Sequence, residues 1–188
     1  MDFDDAIATL RREGVTVLVG IPCQALSLAR RMMQRGIKHT MHSVLLSADY
    51  IPAPAASIVH EAWGAGLYPH FGMTETGYGG AVACRAHAGM HIREADLLFE
   101  IIDPLSLTPL KDGETGELVV TTLTRKAMPL IRYRTGDLAR ITSQTCPCGS
   151  MVRRLERVFG RIHSGVSLRS GGHVSPHGLD DALWADPS

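Results

Sequence analysis

The first third of the chain alternates between two patterns of hydrophobic residues. Apolar side chains recur at helical spacing over residues 4–12, 22–34 and 54–65, and each of these segments predicts a helix. Between them, residues 15–19 and 43–47 are short runs rich in Val and Leu, which predict strands. A continuous apolar run such as 15–19 is typical of a strand buried on both faces of a parallel sheet. Helices that connect such strands imply right-handed crossovers, so we expect a parallel α/β lobe here.

The pattern changes after Gly77, where the apolar segments become short, rich in β-branched residues and separated by turns. The predicted strands cover residues 97–102, 116–123, 130–133, 137–141 and 153–159. This spacing predicts an antiparallel β-barrel-like lobe attached to the α/β lobe. A Gly-, Ser- and His-rich stretch follows, and residues 179–184 begin a further helical pattern.

The charge and composition of the chain exclude some classes of protein. The chain has 188 residues with 19 Lys and Arg against 19 Asp and Glu, so its formal net charge is zero. A protein that binds a nucleic-acid polymer requires an excess of basic residues, so we expect no nucleic-acid partner. No apolar run approaches the ~20 residues of a membrane span, and the acidic start lacks the pattern of a signal peptide. We therefore expect a soluble, cytoplasmic α/β protein without a membrane partner, whose four cysteines are reduced.

A glycine turn with a hydroxyl and a carboxylate follows the α/β pattern. The stretch is His70-Phe71-Gly72-Met73-Thr74-Glu75-Thr76-Gly77. Glycine permits tight turns and a close approach of the backbone to a ligand. Thr74 offers a hydroxyl and Glu75 a carboxylate that can hold Mg²⁺, and open α/β sheets bind ligands at the carboxyl ends of their strands. A metal-bound phosphate fits these residues, and so does an ordinary surface turn.

A second cluster places an acidic residue directly after a glycine, in Tyr133-Arg134-Thr135-Gly136-Asp137. A carboxylate in this position can accept hydrogen bonds from two ribose hydroxyls, as acidic residues do in dinucleotide sites. Thr-Gly-Asp is also common turn chemistry in a plain hairpin. The cluster alone leaves both interpretations open.

The order and spacing of these clusters resemble the AMP-forming, adenylate-forming acyl-CoA synthetase superfamily. Residues 70–75 are similar to its Tyr-Gly-x-Thr-Glu motif, residues 133–137 to its second motif, and Gly160-Arg161 to its third. The stretch Gly116-Glu117-Leu118-Val119 also has a counterpart there. Within the superfamily, residues 122–137 resemble the phenylacetate–CoA ligase and coenzyme F390 synthetase branch, as do Ile101-Ile102-Asp103-Pro104 and Cys146-Pro147-Cys148-Gly149.

The resemblance implies a two-step reaction on an aryl or other small organic acid. The carboxylate attacks the α-phosphate of ATP to give an acyl-adenylate and pyrophosphate, and the thiol of coenzyme A then displaces AMP. The implied catalytic residues are Thr74, which contacts the phosphate, and Glu75, which holds Mg²⁺, while Asp137 and Arg161 bind the ribose. Further nucleotide contacts implied by the resemblance are Ser47, Ala48, Asp49, Phe71, Gly72 and Met73, with Phe71 at the usual Tyr position near the adenine. The implied substrate pocket is lined by Gly20, Ile21, Pro22 and Gly77.

Three features depart from the pattern of that family. The Gly/Ser/Thr-rich phosphate loop, expected well upstream of Val15, is absent. His163 stands where the family places an Asp at a hinge. The C-terminal lid, expected to run for roughly a hundred residues and to carry a catalytic Lys, stops after about a quarter of that length. Loss of the lid would impair most strongly a reaction step that requires the lid domain to close.

These departures predict that the chain is the middle of a larger enzyme. Residues 1–80 would be the C-terminal part of the α/β adenylate-forming lobe, and residues 81–160 a β-rich lobe. Residues 161–188 would be a hinge and the truncated start of a small α+β lid domain. An apolar face left uncovered by the absent N-terminal lobe would favour a homo-oligomer.

Cysteine and histidine residues in the β-rich part suggest a structural zinc site. The candidate ligands are Cys84, His91, Cys146 and Cys148, with His87 as the alternative to His91. Three cysteines and one histidine form a tetrahedral set, although Cys-Pro-Cys has one intervening residue instead of the commoner two. Unrelated buried thiols and a surface histidine explain the same residues. Cys23 stands apart from the others and is interpreted as a small core residue.

The sequence thus supports three hypotheses about function. The first is an AMP-forming carboxylate–CoA ligase that uses ATP, Mg²⁺, coenzyme A and a structural Zn²⁺, and of which this chain is a part. The second is a catalytically inactive remnant, and the third a zinc-stabilised interaction subunit that pairs with a complementing chain. The adjoining DNA distinguishes them: the phosphate loop and lid Lys in frame indicate a fragment, in a neighbouring frame a split enzyme, and nowhere a remnant.

Overall fold

The computed structural model describes residues 2–77, 79–171 and 173–186. Its contacts divide the chain into two compact units, one formed by Met1–Pro69 with Asp180–Ser188 and the other by His70–Leu179. The helices and strands in chain order are α1 (Phe3–Arg12), β1 (Val17–Gly20), α2 (Pro22–Gln34), β2 (Ser43–Leu46), α3 (Ala55–Trp63), β3 (Gly66–Phe71), β4 (Ala81–Ala83), β5 (Met90–Ile92), β6 (Leu97–Ile102), β7 (Thr115–Thr122), β8 (Tyr133–Thr142), β9 (Arg154–Arg161), β10 (Val166–Ser167), β11 (His173–Val174) and α4 (Pro176–Ala185). A single 3₁₀ turn lies at Thr74–Thr76.

The first unit contains a parallel sheet and the helices that cover it. Parallel ladders join β1 to β2 and β2 to residues Gly66–Pro69 of β3. The apolar stripe of α2 packs with α1, α3 and β2, and Leu26, Ala29 and Met32 of the stripe are fully buried. The indole Nε1 of the buried Trp63 donates to the sulfur of Met32 at 3.5 Å. The helical stripes predicted from the sequence therefore form the core of this unit.

Strand β1 differs from its prediction as a strand buried on both faces. Val17 is 54% exposed and Val19 is 67% exposed, whereas Leu18 between them packs against the core. The strand pairs with β2 on one side, and the face that carries Val17 and Val19 is exposed. A β-branched run identifies a strand but does not show how many of its faces are covered.

The second unit is an antiparallel sheet in the order β3-β4-β5-β9-β8-β7-β6, which β3 joins through His70 and Phe71. Its core draws on strands from β4 to the edge strand β6 and is built from residues such as Phe99, Leu118, Val120, Ile141 and Leu155. Among the described residues no ladder joins β6 to β3, so the sheet is open.

The predicted α/β class, with a parallel part followed by an antiparallel part, is confirmed, and the antiparallel part is an open sheet instead of a closed barrel. The predicted strands 130–133 and 137–141 are one strand, β8, which begins at Tyr133. Residues 130–132 form a loop in which Arg132 has a φ of 50°. Strands β4 and β5 were not predicted, because each has only three residues, too few to show an alternation of apolar and polar positions.

No helix in the described part of the chain has the length and apolar character needed to cross a membrane. The second half of α4, from Asp180, belongs to the first unit. There the Asp181 carboxylate accepts hydrogen bonds from the Tyr50 hydroxyl at 3.0 Å and from the Ala53 N–H at 2.7 Å. The division into lobes at residues 80 and 160 stays a prediction.

Candidate functional site

The predicted residues of the first unit lie at the carboxyl ends of two adjacent parallel strands. Gly20 ends β1, Ile21 precedes α2, and Pro22 occupies the first turn of that helix. Residues 47–49 follow β2, and the Ser47 N–H donates to the Gly20 carbonyl at 3.2 Å. Ala48 has a φ of 72°, and the exposed Asp49 carboxylate accepts from the N–H of the next residue. This end of a parallel sheet is the usual place for a ligand in an open α/β fold.

Cys23, in the first turn of α2, is exposed. Its prediction as a core residue is wrong, because the buried stripe of α2 is formed by other positions, among them Ala25 and Leu26.

The glycine turn of the second unit is built on a 3₁₀ turn. Met73 precedes it, Thr74 is exposed at its start, and Glu75 is half-buried. The buried Thr76 holds the turn together, since its hydroxyl donates to the Met73 carbonyl at 2.9 Å and accepts from the Met73 N–H at 3.1 Å. Gly77 ends the turn with a φ of 70°.

Close packing of His70 explains the glycines around this turn. A Cβ on Gly72 would lie 2.8 Å from the imidazole of His70, and a Cβ on Gly79 would overlap the same ring. Burial of the ring lowers the pKa of His70. Phe71 meets Phe99 edge to face, with ring centroids 6.1 Å apart, so it is also part of the core of this unit.

The two motifs predicted to bind the nucleotide meet in the second unit. The Tyr133 hydroxyl, at the start of β8, donates to Glu75 Oε1 at 3.0 Å. This hydrogen bond and the charge of Glu75 raise the pKa of Tyr133. The bond occupies one carboxylate oxygen of Glu75. Tyr133 was part of a predicted motif, but nothing in the sequence identifies its partner.

Asp137 and Arg161 lie opposite each other where β8 pairs with β9. The Asp137 side chain is 11% exposed, and its Oδ1 lies 3.4 Å from Nε of Arg161, whose side chain is 65% exposed. Burial raises the pKa of Asp137, and the guanidinium of Arg161 opposes that shift. A buried carboxylate beside an exposed cation can accept hydrogen bonds from vicinal hydroxyls while remaining partly neutralised.

The four cysteine and histidine residues predicted to bind zinc come together. The ligand atoms of Cys84, His91, Cys146 and Cys148 all lie within 4.8 Å of one another. Sγ of Cys84 lies 3.7 Å from Sγ of Cys146, and Sγ of Cys148 lies 3.5 Å from Nε2 of His91. A tetrahedral zinc with bonds of about 2.3 Å to sulfur and about 2.0–2.1 Å to nitrogen has edges of about 3.8 Å and 3.6 Å. The separations and the donor set therefore fit zinc, and His87 is not among the four.

Local hydrogen bonds favour the thiolate form of two of these cysteines. The Ala86 N–H lowers the pKa of Cys84, and the backbone N–H of Ser150 lowers the pKa of Cys148. At the buried Cys146, the Cys148 N–H favours the thiolate, but burial and the two neighbouring thiols leave the pKa raised. A metal ion would remove that penalty, because a thiol that binds zinc is deprotonated.

Arg154 supports the two loops that carry the three cysteine ligands. Its guanidinium donates to the Ala88 carbonyl in the β4–β5 connection and, at 3.0 Å, to the Gln144 carbonyl in the β8–β9 connection. The side chain is nearly buried, at 6% exposure. Nothing in the sequence identifies this residue, since an Arg at the start of a strand gives no signal of burial.

Known proteins resemble this chain in sequence. No protein-family model matches the chain. The phenylacetate-coenzyme A ligase of Thermus thermophilus is 34% identical over 171 residues, which cover 88% of this chain and 38% of that ligase. The phenylacetate-coenzyme A ligase of Escherichia coli is 40% identical over 115 residues, which cover 60% of this chain and 25% of that ligase. The chain thus spans less than two fifths of the length of either relative.

Solved structures agree with the sequence comparison. The crystal structure of 2-hydroxyisobutyryl-CoA ligase in the postadenylation state, in complex with R3-HIB-AMP, matches 98% of this chain and 40% of its own with a TM-score of 0.84 and 26% identity. An open conformation of that ligase with 2-HIB-AMP and CoA has a TM-score of 0.78 and 25% identity, and matches 96% of this chain and 44% of its own. An anthranilate CoA ligase, at 14% identity and a TM-score of 0.66 over 97% of this chain and 36% of its own, shares the fold.

Proposed function

We propose that this chain supplies the nucleotide-binding centre of an AMP-forming carboxylate–CoA ligase. The proposal is supported by its resemblance, in both sequence and fold, to the phenylacetate–CoA ligase branch of the adenylate-forming enzymes. One observation carries the proposal. The Tyr133 hydroxyl donates to Glu75, so two motifs that are far apart in the sequence meet at one site.

In this proposal the second unit binds the phosphate and the ribose of ATP or AMP. Asp137 accepts the two ribose hydroxyls and Arg161 lies beside them, while the exposed Thr74 hydroxyl donates to the α-phosphate. Gly72 and Met73 bring backbone close to the nucleotide, and Phe71 stacks near the adenine. Such fixed donors and charges are the main source of catalysis in nucleotidyl transfer, which requires positioning more than covalent help.

Mg²⁺ fits the oxygen donors at this site. Glu75 would hold it through the carboxylate oxygen that Tyr133 does not occupy, and the phosphates would supply further oxygen ligands. The ion would neutralise charge on the phosphates. Tyr133 fixes the Glu75 carboxylate, and Thr74 orients the phosphate.

For the residues of the first unit, the resemblance supports nucleotide contacts by Ser47, Ala48 and Asp49 and an acyl pocket at Gly20, Ile21 and Pro22. The substrate class is an aryl or small organic acid, since the relatives are named for phenylacetate and the solved ligase binds a hydroxyisobutyryl-adenylate. Coenzyme A is the proposed acceptor of the acyl group, because it is bound by that same ligase.

A structural Zn²⁺ at Cys84, His91, Cys146 and Cys148 completes the proposal. It is supported by the separations of the donor atoms and by the hydrogen bonds that favour thiolates. A zinc ion there would link the β4–β5 and β8–β9 connections and contribute to folding. Reduced thiolates of this kind are typical of the cytoplasm, where we place the protein.

Calorimetric titration of the chain with AMP and with 2′,3′-dideoxy-AMP tests the proposed function. AMP should bind more tightly than the dideoxy nucleotide, and Asp137→Ala should remove most of the difference. Asp112→Ala is the matched control, because it removes an exposed turn carboxylate far along the sequence from the motifs. Equal affinity for the two nucleotides, or no binding of either, would contradict the proposal.

A further inference from the structure

A buried carboxylate on β7 is bonded directly to the motif that contains Asp137. The Glu117 side chain is 3% exposed, and its Oε2 accepts from Nε and Nη2 of Arg134 at 2.8 Å and 2.5 Å. Its Oε1 accepts from the Gly136 N–H at 3.2 Å. Both carboxylate oxygens are therefore used, one on a side chain and one on the backbone immediately before Asp137.

On the side that faces β7, the backbone at this point lacks the support of a regular ladder, although Asp137 still pairs with Arg161 of β9. Between β7 and β8 the register passes from Glu117 opposite Leu138 to Val119 opposite Arg134, so residues 135–137 form a bulge. Gly136 has a φ of 75°, a conformation that glycine adopts without strain. Thr135 adds further side-chain bonds to the bulge, since its hydroxyl donates to the Leu118 carbonyl at 2.9 Å and accepts from the Asp137 N–H at 3.0 Å.

A buried charge is expensive unless it is paired, so a glutamate at this position needs a reason. Arg134 pairs the charge, and its raised pKa follows chiefly from the hydrogen bond to Glu117. The ion pair alone would hold two side chains together. The additional bond to the Gly136 N–H ties that pair to the backbone from which Asp137 projects.

We propose that Glu117 is a positioning residue: with Arg134 it fixes the 135–137 bulge so that the Asp137 carboxylate is held where it meets the ribose hydroxyls of the nucleotide. The inference rests on the proposed function of Asp137. Glu117 touches no substrate and acts through the backbone of the bulge. It therefore affects discrimination between ribose and dideoxyribose more than binding of the phosphate.

The test compares Glu117→Gln with Glu100→Gln. The control variant removes a similar Arg–Glu pair on the neighbouring strand, where Glu100 Oε2 lies 3.3 Å from Nε of Arg132 without a bond to the bulge. For Glu117→Gln we expect a loss of about tenfold in AMP affinity, with affinity for 2′,3′-dideoxy-AMP within about twofold of the unsubstituted chain. Glu117→Gln added to Asp137→Ala should cause no further loss. Glu100→Gln should leave both affinities unchanged.

Amide hydrogen exchange of the ligand-free protein gives a second readout. Glu117→Gln should speed exchange in peptides that cover residues 134–140 and leave β4 and β5 protected. If exchange there is unchanged, or if both nucleotides lose affinity equally, Glu117 is not a positioning residue. If the unsubstituted chain binds both nucleotides equally, but Glu117→Gln still speeds exchange, the role of Asp137 is contradicted. The fixing of the bulge by Glu117 would in that case still be established. Arg134→Lys, which keeps the charge, replaces Glu117→Gln if that variant does not fold, and its exchange should rise in the same peptides.

Discussion

At the scale of single residues, Asp137 combines its proposed binding role with a cost to stability. Burial raises its pKa, so the native protein holds a proton on this carboxyl at pH values where the unfolded chain has released it. The unfolded state therefore binds fewer protons than the native state in that window. Stability falls as the pH rises from the ordinary aspartate value of 3.8 through the raised native value, and it stays lower above that value.

Asp137→Asn should consequently raise the melting temperature at neutral pH, because it removes the buried charge without changing the size of the side chain. The advantage should disappear below pH 3.8, where Asp137 is protonated in both states. Thermal unfolding of the two proteins across this range measures the effect. A lower melting temperature for Asp137→Asn at neutral pH would mean that the pairing with Arg161 outweighs burial.

The pH should also act on nucleotide binding through the same residue. Only the ionised carboxylate accepts hydrogen bonds from both ribose hydroxyls, so AMP affinity should fall on acidification at a higher pH than an ordinary aspartate would cause. The dideoxy nucleotide should show no such decline. Titrations of both nucleotides at several pH values provide the measurement, and a parallel decline would contradict the assignment.

What the sequence revealed at this scale depended on residue type and spacing. The predicted zinc ligands lie together, and they are Cys84, His91, Cys146 and Cys148. They could be predicted because a sequence shows both the residue types that are soft metal ligands and their spacing. Glu117 and Arg154 could not be assigned, since an acidic or basic letter within a strand does not show that its side chain is buried and bonded. The pair between Tyr133 and Glu75 depends on the pairing of distant strands in the same way.

At the scale of elements, β7 is packed tightly against β6 through Gly116. A Cβ at this position would overlap the Ile102 carbonyl oxygen, and it would lie 2.6 Å from Cδ1 of Leu110 and 2.9 Å from Cγ2 of Ile101. A backbone atom cannot move away as a flexible side chain can. The strand pair therefore depends on the absence of a side chain at Gly116.

Gly116→Ala should destabilise the chain by about 1–3 kcal/mol, which is typical of overpacking in a core. Gly20→Ala is the control, because no atom lies within 4 Å of a Cβ at that strand position and its φ is not in the left-handed region. Denaturant unfolding of the two variants measures the difference. Equal stability of both would show that β6 moves to accept the methyl group.

Helices and long strands were predictable from periodicity, and the predicted 22–34 helix matches α2. Between the predicted strands 130–133 and 137–141 lies the start of Thr-Gly-Asp, a tripeptide that is common in turns. In the structure the same residues are a bulge inside one strand, because side chains of β7 and β8 replace the missing ladder bonds. Local turn chemistry cannot distinguish these outcomes when the bonds come from a distant strand.

At the scale of the whole molecule, the two compact units carry different spectroscopic reporters. Both tryptophans, Trp63 and Trp184, belong to the first unit, whereas the four proposed zinc ligands belong to the second. Loss of a zinc ion should therefore be detectable in one unit while the tryptophans report on the other.

Protein purified without added metal should contain about one zinc ion per chain. Removal of zinc with a chelator should speed hydrogen exchange in β4, β5 and the β8–β9 connection, and leave the emission of the buried Trp63 unchanged. Cys148→Ser should show the same exchange without a chelator. Cys23→Ser, which changes an exposed cysteine outside the cluster, should retain both the zinc and the protection. A metal-free protein with full protection in these strands would contradict the zinc site.

The bulge in β8 has one more consequence, which concerns insertion and deletion of residues. One residue of β7, Leu118, faces three of β8, so β8 carries two residues beyond what a regular ladder requires. Side chains alternate with a period of two, and an even number of extra residues leaves every later side chain on its own face. A sheet without those two residues would keep the same core. Asp137, the proposed ribose ligand, thus lies in a two-residue insertion that the sheet tolerates. Removal of a single residue would instead move every later side chain of β8 to the opposite face of the sheet.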